Sequence, residues 1–101
     1  MNAMAREAEA EIHRVLDALT VGHFVEFCCE GETFLIEPDN NKGCDYISIW
    51  RTGSSAVCLG HSLFDIFAGI DADAVSELLN LPCINGQSYL QWWKRGKLEW
   101  L

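Results

Sequence analysis

The hydrophobic pattern of this chain changes period twice, and that change constrains the fold more than any single motif. Between Ala3 and Leu19 there is no Gly or Pro, and Ala8, Ile12, Val15, Leu16 and Leu19 recur at i, i+4, i+7, i+8 and i+11. That spacing draws one apolar stripe along a helix. Glu7, Glu9, Glu11 and Asp17 lie off the stripe. The acids cluster in the N-terminal half, where the helix dipole favours them, and Gly22 is placed to help end the helix.

From His23 to His61 the period is that of strands. Phe24 to Cys29 is a short apolar run, Glu30-Gly31 a two-residue turn, and Glu32 to Glu37 a second strand closed by Pro38. Asp39 to Gly43 is a dense cluster of turn residues. Asp45 to Arg51 alternates, with Ile47 and Ile49 on one face and Tyr46, Ser48 and Trp50 on the other. A turn over Arg51 to Ser55 leads to a fourth strand from Ala56 to Gly60, with Val57 and Leu59 inward. Helical spacing then returns. Ser62 and Asp65 have capping-box spacing for a short helix through Phe67 that closes at Gly69. Asp71 or Asp73 can cap a helix over 73–80, and Leu81-Pro82 stops it. Asn85-Gly86 is a turn, and Ser88 caps a last helical segment.

The fold class expected is therefore α+β: an N-terminal helix, a four-stranded antiparallel β-meander, and two or three short C-terminal helices packed on one sheet face. No linker, repeat or low-complexity tract divides the 101 residues, so they read as one domain. Half the residues are apolar, which excludes intrinsic disorder, and no stretch reaches the ~20 apolar residues of a spanning helix. Met1 to Glu11 has no signal-like apolar segment, so the expected location is cytoplasmic, with no membrane partner.

Charge is unevenly placed. The formal net charge is −8; residues 1–93 carry fourteen acids and four bases, whereas 94–101 carry three bases and Glu99. An acidic body of this kind disfavours nucleic acid. The five cysteines, at 28, 29, 44, 58 and 83, are odd in number and lack any CxxC. They read as reduced thiols, with Cys28, Cys58 and Cys83 in apolar surroundings. Cys58 and His61 alone do not make a zinc site, which needs four ligands. With strand period two, Cys58 and His61 are expected on opposite faces, and His61 to close the strand by bonding backbone. His13 and His23 have no companion at metal spacing. Asp39-Asn40-Asn41 departs from a calcium loop, because Gly43 is fifth rather than sixth and Trp50 stands at the twelfth position. No cofactor or metal is expected.

The candidate binding residues are at the end of the chain: Tyr89, Trp92, Trp93, Lys94, Arg95, Lys97 and Trp100. Aromatics interleaved with bases suit a protein interface, a nucleic-acid platform, or a core with a solvated rim.

Phe27, Gly31, Phe34 and Ile36 follow an F-x-x-x-G-x-x-(F/Y)-x-I pattern, and Glu77-Leu78-Leu79 followed by Ile84 to Leu90 follows an ELL…I-(D/N)-G-(K/Q)-S-L pattern. Over Glu26 to Trp93 the chain thus resembles small uncharacterised bacterial proteins built as a β-meander followed by helices. The resemblance implies that fold and transfers no catalytic residue. The functional expectation is a non-enzymatic protein-interaction module of a bacterial cell, with a protein partner or a homodimer. Two alternatives stand beside it: a small thiol-dependent enzyme using a cysteine with His61 or His23, and an acidic mimic that binds a basic partner.

Overall fold

The computed structural model describes residues 3–41, 44–65 and 67–101. The apolar stripe of the first segment forms α1, Ala3–Thr20, with Val15 and Leu19 buried against the sheet. Four strands follow, β1 Val25–Cys29, β2 Glu32–Asn41, β3 Cys44–Arg51 and β4 Val57–Leu63, each antiparallel to the next. Glu30 (φ 52°) and Gly31 (φ 78°) make the β1–β2 turn, the left-handed pair that a tight hairpin requires.

Two further helices join α1 on the same sheet face: α2, Ala72–Leu79, and α3, Tyr89–Lys94. Asp71 caps α2 by accepting from the Ala74 N–H at 2.8 Å. Ser88 caps α3 with a full capping box, its hydroxyl accepting from the Gln91 N–H while the Gln91 side chain accepts from the Ser88 N–H. The chain ends in a fifth strand, β5 Leu98–Trp100, which pairs antiparallel with β1 and gives the order β4-β3-β2-β1-β5.

One sheet face is packed. Val25, Phe27, Cys29, Phe34, Ile36, Ile47, Ile49 and Leu98 point into a core shared with Val15, Leu19, Val75, Leu78, Leu79, Ile84 and Tyr89. Phe27 stacks on Phe34 at 5.2 Å and meets the edge of Tyr89 at 5.1 Å, so this face centres on three rings. Among the described residues no helix covers the other face.

Several expectations are corrected by tertiary pairing. The sheet has five strands, because the short β5 finds β1 through contacts that no local pattern announces. Pro38 does not end β2; it pairs with Ile47 within the strand. β1 pairs β2 only up to Ile36, so the side of Pro38 that lacks an N–H donor faces a position with no neighbouring strand. Ser62 opens no helix. It lies in β4, and its hydroxyl donates to the Ala74 carbonyl at 2.6 Å, tying the strand to α2. Asp65 instead holds a turn, accepting from the Phe67 N–H at its carboxylate and from the Gly69 N–H at its carbonyl. Positions 42 and 43 of the expected Asp39–Gly43 turn lie outside the described residues.

Glu11 is the largest departure on α1. Expected off the stripe, it is 4% exposed. Its carboxylate accepts two bonds from Arg14, at 2.7 and 2.8 Å, and one from the Tyr89 hydroxyl at 2.6 Å. The Trp100 indole N–H donates to the same hydroxyl at 2.8 Å, and the Arg14 guanidinium lies 3.9 Å from the centre of the Trp100 ring. Burial and the Glu11 bond push the Tyr89 hydroxyl pKa well above its ordinary value. The network fastens α1 to α3 and β5.

Candidate functional site: the open edge of β4

Two strands end the sheet, and they are unlike. β5 is three residues long and carries Glu99, a short and charged edge of the sort that resists pairing. β4 is seven residues long, VCLGHSL, and contains no Asp, Glu, Lys or Arg. Val57 is 42% exposed and Leu63 63% exposed.

The phase of the β3–β4 ladder fixes what this edge presents. The Phe64 N–H donates to the Asp45 carbonyl at 3.2 Å, and the register runs Leu63 to Tyr46, Ser62 to Ile47, His61 to Ser48 and Gly60 to Ile49. In an antiparallel ladder bonded and non-bonded pairs alternate. Ser62 and Gly60 therefore turn their backbone groups to β3, and His61 and Leu63 turn theirs to the open side. Alongside runs a groove of about 560 Å³ between Cys58–His61 and Leu81–Cys83. Gly60 permits the close approach of that second wall, since a Cβ there would sit 3.1 Å from Leu81 Cδ1 and 3.6 Å from Cys83 Sγ.

The uncovered sheet face adjoins this edge. Leu35 pairs with Trp50 and Tyr46 with Leu63, and the Tyr46 ring tilts against His61 at 5.3 Å. Leu35, Tyr46 and Trp50 are half-buried. On the same face Ser48 Oγ and Trp50 Nε1 are buried and have no hydrogen-bond partner among the described residues. Such groups carry a desolvation cost that a polar group arriving at this face would relieve.

His61 and Cys58 do not take opposite faces. The register shifts between Ile49 and Trp50, so Leu59 is an extra residue in β4 and Cys58 comes opposite Trp50. The bulge reverses parity and brings Cys58 to the face of His61, where both line the groove. His61 sits within β4, exposed, rather than closing it. Cys58 is also exposed, unlike the apolar burial expected for it; Cys29 is buried, while Cys28 and Cys83 are half-buried. Desolvation pushes the Cys29 and Cys83 thiols above their ordinary pKa, which disfavours thiolate. His23 is exposed beyond α1 and does not line the groove beside β4. Among the described residues no three His, Cys, Asp or Glu converge as metal ligands.

The aromatic–basic end is divided. Tyr89 is fully buried and Trp92 only 7% exposed, so both serve the core; the Trp92 indole N–H donates to the Ile84 carbonyl at 2.7 Å. Trp93 and Trp100 are half-buried, with Trp100 held by Arg14 and Tyr89. Lys94, Arg95 and Lys97 are exposed, and Arg95 lies over the Trp92 ring at 4.9 Å while donating to Gln87. Most of the ring surface expected to meet a partner is thus used within the chain. The β4 edge was not among the expected site residues; its available signal was a strand without charge in an acidic chain.

No helix among the described residues is long and apolar enough to cross a membrane. Comparison with protein-family models, with curated proteins and with solved structures finds no significant match for this chain.

Proposed function

We propose that the chain is a non-catalytic protein-interaction module of the bacterial cytoplasm, which receives an extended polypeptide segment as a further strand along β4. The observation that carries this reading is the open, uncharged β4 edge, with the His61 and Leu63 backbone groups turned outward beside a groove. Strand addition uses main-chain hydrogen bonds for affinity and neighbouring pockets for selectivity. The half-buried Tyr46 and Trp50 rings beside β4 supply that neighbouring surface. The polar cluster at Glu11 supports a non-catalytic role, since its groups are committed to one another across α1, α3 and β5.

A photo-crosslinking side chain at Leu63, in the full-length protein within its native cell, tests the reading. Leu63 is expected to yield a covalent protein adduct that the same probe at Glu9, exposed on α1, does not. Equal yields at the two positions, or none at Leu63, would contradict it.

A second reading has one observation in its favour: the bulge places Cys58 and His61 on one face of one groove. A thiol-dependent activity there requires Cys58 to react with an alkylating reagent well below the ordinary thiol range, near pH 8.5. Under the interaction reading Cys58 reacts ahead of Cys83 and Cys29 only because it is exposed. Rapid alkylation at acidic pH would favour the enzyme.

A further inference from the structure

We infer that the strand received at β4 is β4 of a second copy of this chain, antiparallel about a two-fold axis through His61. The inference rests on the strand-docking reading and names its occupant. A bonded antiparallel pair needs two residues whose N–H and C=O both face the partner. His61 meets that condition, so His61 of one copy can exchange both bonds with His61 of the other. Leu63 then runs past the Cys58–Leu59 end of the opposite strand.

Charge selects the copy and its direction. Two chains of net charge −8 repel, so a stable contact between them must lie where acids are not brought face to face. β1, β2, β3 and β5 each contain at least one acidic residue, and β4 contains none. Beyond its C-terminal end lies Asp65, and beside its N-terminal residue Val57 lies Arg51. Antiparallel pairing directs each Asp65 toward the Arg51 end of the other copy. Parallel pairing would set Asp65 against Asp65. Arg51 is half-buried and lies 3.6 Å from Glu32, so the copy's acid would join a solvated charge cluster at the rim. That placement governs orientation more than affinity.

The geometry also closes. The remaining edge, β5, is short and acidic, so two copies form one continuous ten-stranded sheet with a self-complementary junction and do not extend into a fibre. Exposed Val57 and Leu63 lose solvent contact at the junction, and Phe67, 97% exposed just beyond β4, lies at its margin.

Light scattering on the purified full chain reads this directly. The expected particle has twice the 11.4 kDa chain mass and dissociates on dilution through the micromolar range. His61→Pro removes an outward N–H without removing a β3 ladder bond, and Leu63→Lys sets two like charges on the edge. Each is expected to weaken dimerisation at least tenfold while circular dichroism stays native, and Lys97→Glu is expected to leave it unchanged. If His61→Pro fails to fold, Leu63→Lys carries the test alone. A monomer at every concentration, or dimerisation insensitive to the edge substitutions that fold, would overturn the inference. A monomer whose Leu63 probe still crosslinks to a different protein would overturn the second copy and leave strand docking standing.

Discussion

Phe27→Ala is expected to lower the free energy of unfolding by about 3–5 kcal/mol, the range for truncating a buried aromatic residue. Phe27 is fully buried, stacked on Phe34 and edge-on to Tyr89, so its truncation opens a cavity between β1, β2 and α3. Domains are commonly stable by only about 5–15 kcal/mol, and this loss would take a large part of that. Phe24→Ala, at a mostly exposed ring just before β1, is expected to change stability by no more than about 0.5 kcal/mol. Urea midpoints for the two variants check the contrast. A Phe27→Ala cost below about 1 kcal/mol would contradict the placement of the core.

Glu11→Ala is the second large effect, expected at about 2–4 kcal/mol. The substitution leaves the buried Tyr89 hydroxyl without the acceptor it meets at 2.6 Å, and it removes the packed stem of Glu11. Arg14, half exposed, returns to water at little cost, so the penalty arises at Tyr89 rather than at the ion pair. In Glu11→Ala/Tyr89→Phe the orphaned hydroxyl is gone, and the double variant is expected to be more stable than the sum of the single losses predicts. Additive losses would contradict the network. The same tyrosine gives a pH signature. Its pKa is raised in the folded chain, so the folded state holds the proton where the unfolded state has lost it. That contribution is complete below about pH 10 and declines above it, and Tyr89→Phe is expected to lose less stability than wild type on that alkaline limb.

The sequence pattern exposes features whose cause is local. The Asp71 and Ser88 caps, the Glu30-Gly31 turn and the α1 stripe each depend on hydrogen bonds or spacing within a few residues, and each is legible. What is illegible depends on distant partners. Ser62 and Asp65 carry capping-box spacing, yet pairing with Ile47 and the Ala74 carbonyl claims Ser62 for β4. Glu11 is buried because Tyr89 and Arg14 satisfy it, and Tyr89 lies 78 residues away. The parity of Cys58 and His61 turns on one extra residue in β4, which period-two counting cannot see. The candidate site suffers most from this. The aromatic–basic cluster is conspicuous in sequence, but the fold turns Tyr89 and Trp92 inward. An edge strand is conspicuous only once the strand order is known.

Amide hydrogen exchange at the β4 edge, followed residue by residue as the full chain is concentrated, is the most direct measurement. His61 and Leu63, whose N–H groups face the open side, are expected to exchange fast in dilute protein while Gly60 and Ser62 are protected by β3. On association His61 and Leu63 are expected to become protected, with Lys94 to Lys97 unchanged. Protection that appears at Lys94 to Lys97 while His61 and Leu63 continue to exchange fast would contradict strand docking at β4.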